Sequence, residues 1–105
     1  MQYPDLEDML ISYPAGFNLS LGQRIRARSM GLKAGVPDLI LLVPRLIRGT
    51  LYPLLFIEMK SKDGKLSAIQ KAYHHKLKAQ GYTIVIAYST EEAMIKIKSY
   101  LDSET

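Results

Sequence analysis

A chain of 105 residues, 48% hydrophobic and 23% charged, has the apolar content for one folded core and too little length for a separate binding domain, so a single domain over residues 1–105 is expected. It contains no cysteine, which excludes disulfides and thiolate metal sites and suits a reducing compartment. Fourteen Lys plus Arg against ten Asp plus Glu leave a formal charge of +4, which favours a polyanionic partner without requiring one.

Along the chain, Asp5 can cap a helix from Leu6 to about Ser12 that carries Leu6, Met9 and Leu10 on one face. Pro14, Gly16 and Asn18 interrupt the pattern, and Leu21 to Met30 reads as a second helix, stopped by Gly31 and carrying Arg24, Arg26 and Arg28. Gly35 and Pro37 precede Asp38, which opens the continuous apolar strand Leu39 to Val43. Arg45 to Pro53 reads as a turn or loop into a second apolar strand, Leu54 to Lys60, paired antiparallel with the first. Asp63-Gly64 marks a turn. Ser67-Ala68-Ile69-Gln70 matches a capping box at the start of a helix running to Gln80. Gly81 ends it, and Thr83 to Tyr88 forms a third strand rich in β-branched residues. A second capping box, Ser89 to Glu92, opens a last helix with Ala93, Ile97 and Leu101 at spacing four. The helix between the second and third strands serves as a crossover, giving a mixed sheet covered by helices. The apolar runs Leu39 to Val43 and Leu54 to Ile57 are far too short to span a membrane, and no signal-peptide pattern stands at the N-terminus. A soluble protein of the cytoplasm is expected.

Charges at the ends of apolar strands are costly unless paired, so they point to chemistry. Asp38 opens one strand; Glu58 and Lys60 close its partner. Antiparallel pairing sets the start of one beside the end of the other. Period-two alternation puts Glu58 and Lys60 on one face and turns Met59 into the packing. Two carboxylates on neighbouring strands make the hard oxygen site that Mg²⁺ prefers, and a lysine ammonium beside it can orient water or stabilise charge on a phosphate. The bland alternative is a cross-strand ion pair with a surface aspartate. Adjacent His74 and His75 point about 100° apart on a helix, so the pair cannot grip one metal.

Gly35-Val36-Pro37-Asp38-Leu39, Ile57-Glu58-Met59-Lys60 and Leu66-Ser67-Ala68-Ile69-Gln70, in this order, resemble the virus-type replication-repair nuclease domain (VRR-NUC) of the PD-(D/E)xK nuclease superfamily. The resemblance implies a restriction-endonuclease-like α/β core, a mixed central sheet flanked by helices in the order αβββαβ. It also implies that Asp38 and Glu58 ligate Mg²⁺ or Mn²⁺ with the Met59 carbonyl, that Lys60 is the catalytic lysine, and that Gln70 holds the lysine or its water. One amide is not expected to serve both this role and the capping box fully. Glu7, on the first helix, would complete the metal site, with Asp8 or Asp5 as the second candidate, although the helix dipole explains a first-turn acid equally well. Arg24, Arg26, Arg28, Lys33, Lys62 and Lys65 flank the site and could contact DNA phosphates. Lys71, Lys76, Lys78, Lys96 and Lys98 suit a solvated surface, and Tyr73, Tyr82 and Tyr88 suit the core or its rim. The expected activity is that of a structure-selective, metal-dependent DNA endonuclease cutting four-way junctions or related branched DNA, as a homodimer. The competing expectation is a non-catalytic DNA-binding or assembly module on the same fold.

Overall fold

The computed structural model describes residues 6–13, 20–29 and 34–103. Asp5, Gly31, Lys33 and the side chains of Arg24 and Arg28 lie outside the described residues. Among the described residues ten elements follow one another: α1 (Leu6–Met9), β1 (Leu10–Ser12), α2 (Leu21–Ser29), β2 (Leu39–Leu41), β3 (Arg45–Ile47), β4 (Thr50–Tyr52), β5 (Leu55–Met59), α3 (Ala68–Ala79), β6 (Thr83–Ala87) and α4 (Thr90–Asp102).

The main sheet has the order β1-β2-β5-β6. Its first two pairings are antiparallel and β5 to β6 is parallel. A parallel neighbour needs a crossover connection, and α3 is that crossover. Odd positions of β5 face one side, where Leu55 and Ile57 join Leu41, Ala87 and the α4 residues Ala93, Ile97, Tyr100 and Leu101 in the buried core. Met59 packs against the same cluster, as its alternation predicts. Even positions face α3.

The first helix is shorter than its periodicity suggests. Leu10, Ile11 and Ser12 leave it to pair with Leu41, Ile40 and Leu39, because β2 would otherwise end the sheet with an open row of backbone donors and acceptors. This strand supplies the third β of the αβββαβ order: α1, β1, β2, β5, α3 and β6 make that core, and α2, the β3-β4 hairpin and α4 are additions to it. Regular pairing along β2 stops at Leu41, short of Val43.

Arg45 to Pro53 is a hairpin rather than an open loop. Arg48 at φ 50° and Gly49 at φ 82° give the two positive φ values of a two-residue type I′ turn, whose twist matches that of the flanking strands. Arg45 is buried, and its guanidinium donates to the carbonyls of Tyr100, at 3.2 Å, and Ser103. The last turn of α4 carries no basic residue of its own, so β3 lends a cation to the negative end of that helix. No helix among the described residues is long and apolar enough to cross a membrane.

Candidate active site

The site forms at the end of the sheet where β2 begins and β5 finishes. Leu39 opposes Ile57, and one step further along this register Asp38 opposes Glu58, on the face that looks toward α3. Gly35 makes the approach possible. Its φ is +88°, and a Cβ there would stand 2.8 Å from the Ile69 carbonyl oxygen, so any side chain would push the Val36-Pro37-Asp38 segment away from the first turn of α3. Val36 and Pro37 are buried behind it. The Asp38 carbonyl accepts the Tyr13 N–H at 2.7 Å and its carboxylate accepts the Met59 N–H at 2.8 Å, which ties the aspartate to both neighbouring strands.

Two rungs connect β5 to α3. Glu58 Oε1 lies 3.2 Å from His74 Nε2, and Lys60 Nζ donates to Gln70 Oε1 at 2.7 Å. The spacing has a simple origin: two residues of strand advance about 6.6 Å and four residues of helix about 6 Å, so i, i+2 on the strand matches i, i+4 on an antiparallel helix. Gln70 also completes the capping box, since its Oε1 accepts the Ser67 N–H at 2.9 Å while its own N–H donates to Ser67 Oγ at 3.1 Å. The one-role expectation for this amide is therefore corrected. A carbonyl oxygen has two lone pairs, and Gln70 uses one for the cap and one for Lys60.

Glu58 is only 1% exposed. Burial, then the hydrogen bond and repulsion from Asp38, push its carboxyl up to about 8, with Lys60 pulling the other way. A cation bound between the two carboxylates would relieve the same repulsion. His74 is held below its ordinary value by burial and then by the ammonium groups of Lys78 and Lys60. A neutral ring with its proton on Nε2 donates to Glu58. Sequence reasoning set His74 aside because the adjacent pair cannot chelate. The overlooked signal was its position one helical turn after Gln70.

The residues that could hold a hard divalent cation are Asp38, Glu58 and the Met59 carbonyl. A strand residue points its N–H and C=O to the same neighbour, and the Met59 N–H already faces Asp38. Glu7 is not brought to them. Leu10 opposes Leu41, at the far end of β2 from Asp38, and Glu7 is exposed on α1, whose Leu6 and Met9 pack against the α4 core. Among the described residues no group of three His, Asp or Glu side chains is gathered for a metal. Lys62 and Lys65 are exposed in the segment just after Lys60, and Arg26 is exposed on α2. Tyr82 packs edge-on against Phe56 with ring centroids 5.7 Å apart, the core-and-rim role expected of it.

The family model of the VRR-NUC domain matches residues 7–91. The chain belongs to the VRR-NUC family. A solved structure described as a VRR_NUC domain protein is similar with a TM-score of 0.71 and 29% identity, over 91% of this chain and 69% of that one. No curated protein matches. The VRR-NUC fold is a nuclease-type, DNA-processing fold, and the motif segments that suggested it are those that meet at the Asp38–Glu58 end of the sheet.

Proposed function

We propose that this VRR-NUC domain is a Mg²⁺- or Mn²⁺-dependent endonuclease that hydrolyses phosphodiester bonds in four-way junctions or related branched DNA. The observation that carries the proposal is the cross-strand pair of half-buried Asp38 and buried Glu58, with Lys60 held beside it by Gln70. Asp38, Glu58 and the Met59 carbonyl would hold the cation, a donor set that suits a hard ion whose remaining positions take water and a phosphate oxygen. Such an ion, when bound, polarises the phosphate and acidifies water. The chain's own groups do the rest. Gln70 fixes the Lys60 ammonium at the mouth of the site, where it orients water and offsets charge gathering on the phosphate. Met59 N–H fixes the rotamer of Asp38. Arg26, Lys62 and Lys65, with Arg24, Arg28 and Lys33, steer the DNA backbone. A chain of 105 residues covers little DNA alone, and a homodimer would match the two-fold symmetry of a junction.

His74 acts as a positioning residue through Glu58. His74→Leu is expected to raise the Mg²⁺ concentration for half-maximal cleavage by about 10–100-fold, as loss of an outer partner does. His74→Gln, which keeps a donor, should recover part of it. An unchanged Mg²⁺ requirement in folded His74→Leu protein would reduce the residue to packing.

The function is tested by a cleavage panel of four-way junctions, flaps, single strands and plain duplex with Mg²⁺, Mn²⁺, Ca²⁺ or chelator. Cutting of branched DNA ahead of plain duplex, dependent on Mg²⁺ or Mn²⁺ and lost with chelator, is the expected result. Tight binding without any cutting would make the protein a binding module instead.

A further inference from the structure

The α3 helix leaves part of the sheet uncovered beside β6. A groove of about 230 Å³ lies there, lined by Leu66, Lys71, His74, His75, Lys78, Ile84 and Ile86. Its floor is apolar and half-buried, because Phe56 opposes Ile84 and Glu58 opposes Ile86, so both isoleucines share the face that looks toward α3. Its wall is cationic. At 100° per residue, Lys71, His75 and Lys78 fall within an arc of roughly 60° on α3, with Lys71 and Lys78 about 10 Å apart along the axis. All three are exposed, and no carboxylate is among the described residues lining the groove. At the β6 edge, Lys96 is already engaged, donating to the Ile86 carbonyl at 2.5 Å and pairing with Glu92 at 3.0 Å.

The groove is continuous with the site. His74 lines it and reaches Glu58 from it, while Lys71 directly follows Gln70, the partner of Lys60. From the Lys60–Gln70 contact, the cations of α3 therefore lead away along the groove. We infer that the α3–β6 groove is a backbone track that holds the phosphates of the nucleic-acid strand on one side of the scissile bond, with Lys71 and Lys78 on phosphates about three steps apart and the sugars over Ile84 and Ile86. This rests on the nuclease reading above. Ten ångströms of helix span about three base steps at 3.4 Å each, so the track addresses the nucleotides nearest the cut on that side. Lys71 and Lys78 then leave the solvated surface to which composition consigns them, and the direction of the track gives the enzyme a polarity along the strand that the carboxylate pair alone would lack.

The test compares Lys71→Gln/Lys78→Gln with Lys76→Gln, which changes a lysine on the same helix about 140° from Lys71. Binding to a labelled junction with chelator present is measured against salt. Loss of two phosphate contacts should flatten the log–log slope of the double variant by about 1.8, a loss of roughly tenfold in salt sensitivity between about 50 and 200 mM. Lys76→Gln should keep the wild-type slope. A second arm shortens the DNA to one step beyond the cut on either side in turn. One of the two truncations should weaken wild-type binding and leave the double variant unaffected. A double variant with the slope of Lys76→Gln, or truncations that weaken both proteins equally, would overturn the track while leaving the nuclease reading intact. A wild-type protein that neither binds nor cuts any DNA would remove both.

Discussion

In an Asp38→Asn variant, Mg²⁺-dependent cleavage is expected to fall by roughly a thousandfold or more, the scale of losing a group essential to the reaction, with the fold retained. The substitution separates charge from structure. An asparagine carbonyl can still accept the Met59 N–H that Asp38 accepts at 2.8 Å, and the main-chain bond from Tyr13 is untouched. What disappears is one of the two anionic ligands opposed across β2 and β5, and with it the electrostatic reason for a cation to settle there. Junction binding in chelator should hold or tighten slightly, because a negative charge facing the phosphates has gone. Cleavage within a few-fold of wild type, in a variant with an unchanged melting curve, would remove Asp38 from the metal site and leave the pair as a structural contact.

The pair itself was legible in the sequence because both rules that place it are local. Period-two alternation fixed the shared face of Glu58 and Lys60, and antiparallel pairing of two short strands set Asp38 opposite. Gln70 was legible as a cap for the same reason, and its second contact follows from its place in the first turn of α3. Elements that depend on distant partners were not legible. Leu6, Met9 and Leu10 satisfy a helical period, and only the open edge of β2, some thirty positions later, turns residues 10–12 into a strand. The Arg48-Gly49 turn lacks the Asn-Gly or Asp-Gly signature of its type, so the hairpin was read as loop. Arg45 is buried because carbonyls 55 and 58 residues away need a donor. Glu7 shows the same limit from the other side. A resemblance can name an acid on the first helix, but the register of β1 decides which end of the sheet that helix occupies.

Glu58→Gln should abolish cleavage as Asp38→Asn does, yet make the metal-free protein more stable at alkaline pH. The sign follows from proton linkage. The folded-state carboxyl lies at about 8 against an ordinary 4.5, so the folded protein binds this proton more tightly than the unfolded chain. The stabilisation it provides is complete below about pH 4.5 and is lost as pH rises toward and through 8. Above that point a second charge stands buried beside Asp38, received by Lys60, the Asp38 backbone and the neutral ring of His74. Glutamine mimics the protonated acid in shape and in its ability to donate, and it has no proton to lose. Melting curves in chelator should therefore show wild type losing stability relative to Glu58→Gln between pH 5 and 9, with the variant ahead by about 4 °C or more at pH 9, the size of shift that 1 kcal/mol produces in a domain of this length. Millimolar Mg²⁺ should return that margin to wild type, by binding only the folded state, and should do little for the variant. Parallel pH profiles for the two proteins would show that the folded protein binds the Glu58 proton no more tightly than the unfolded chain does.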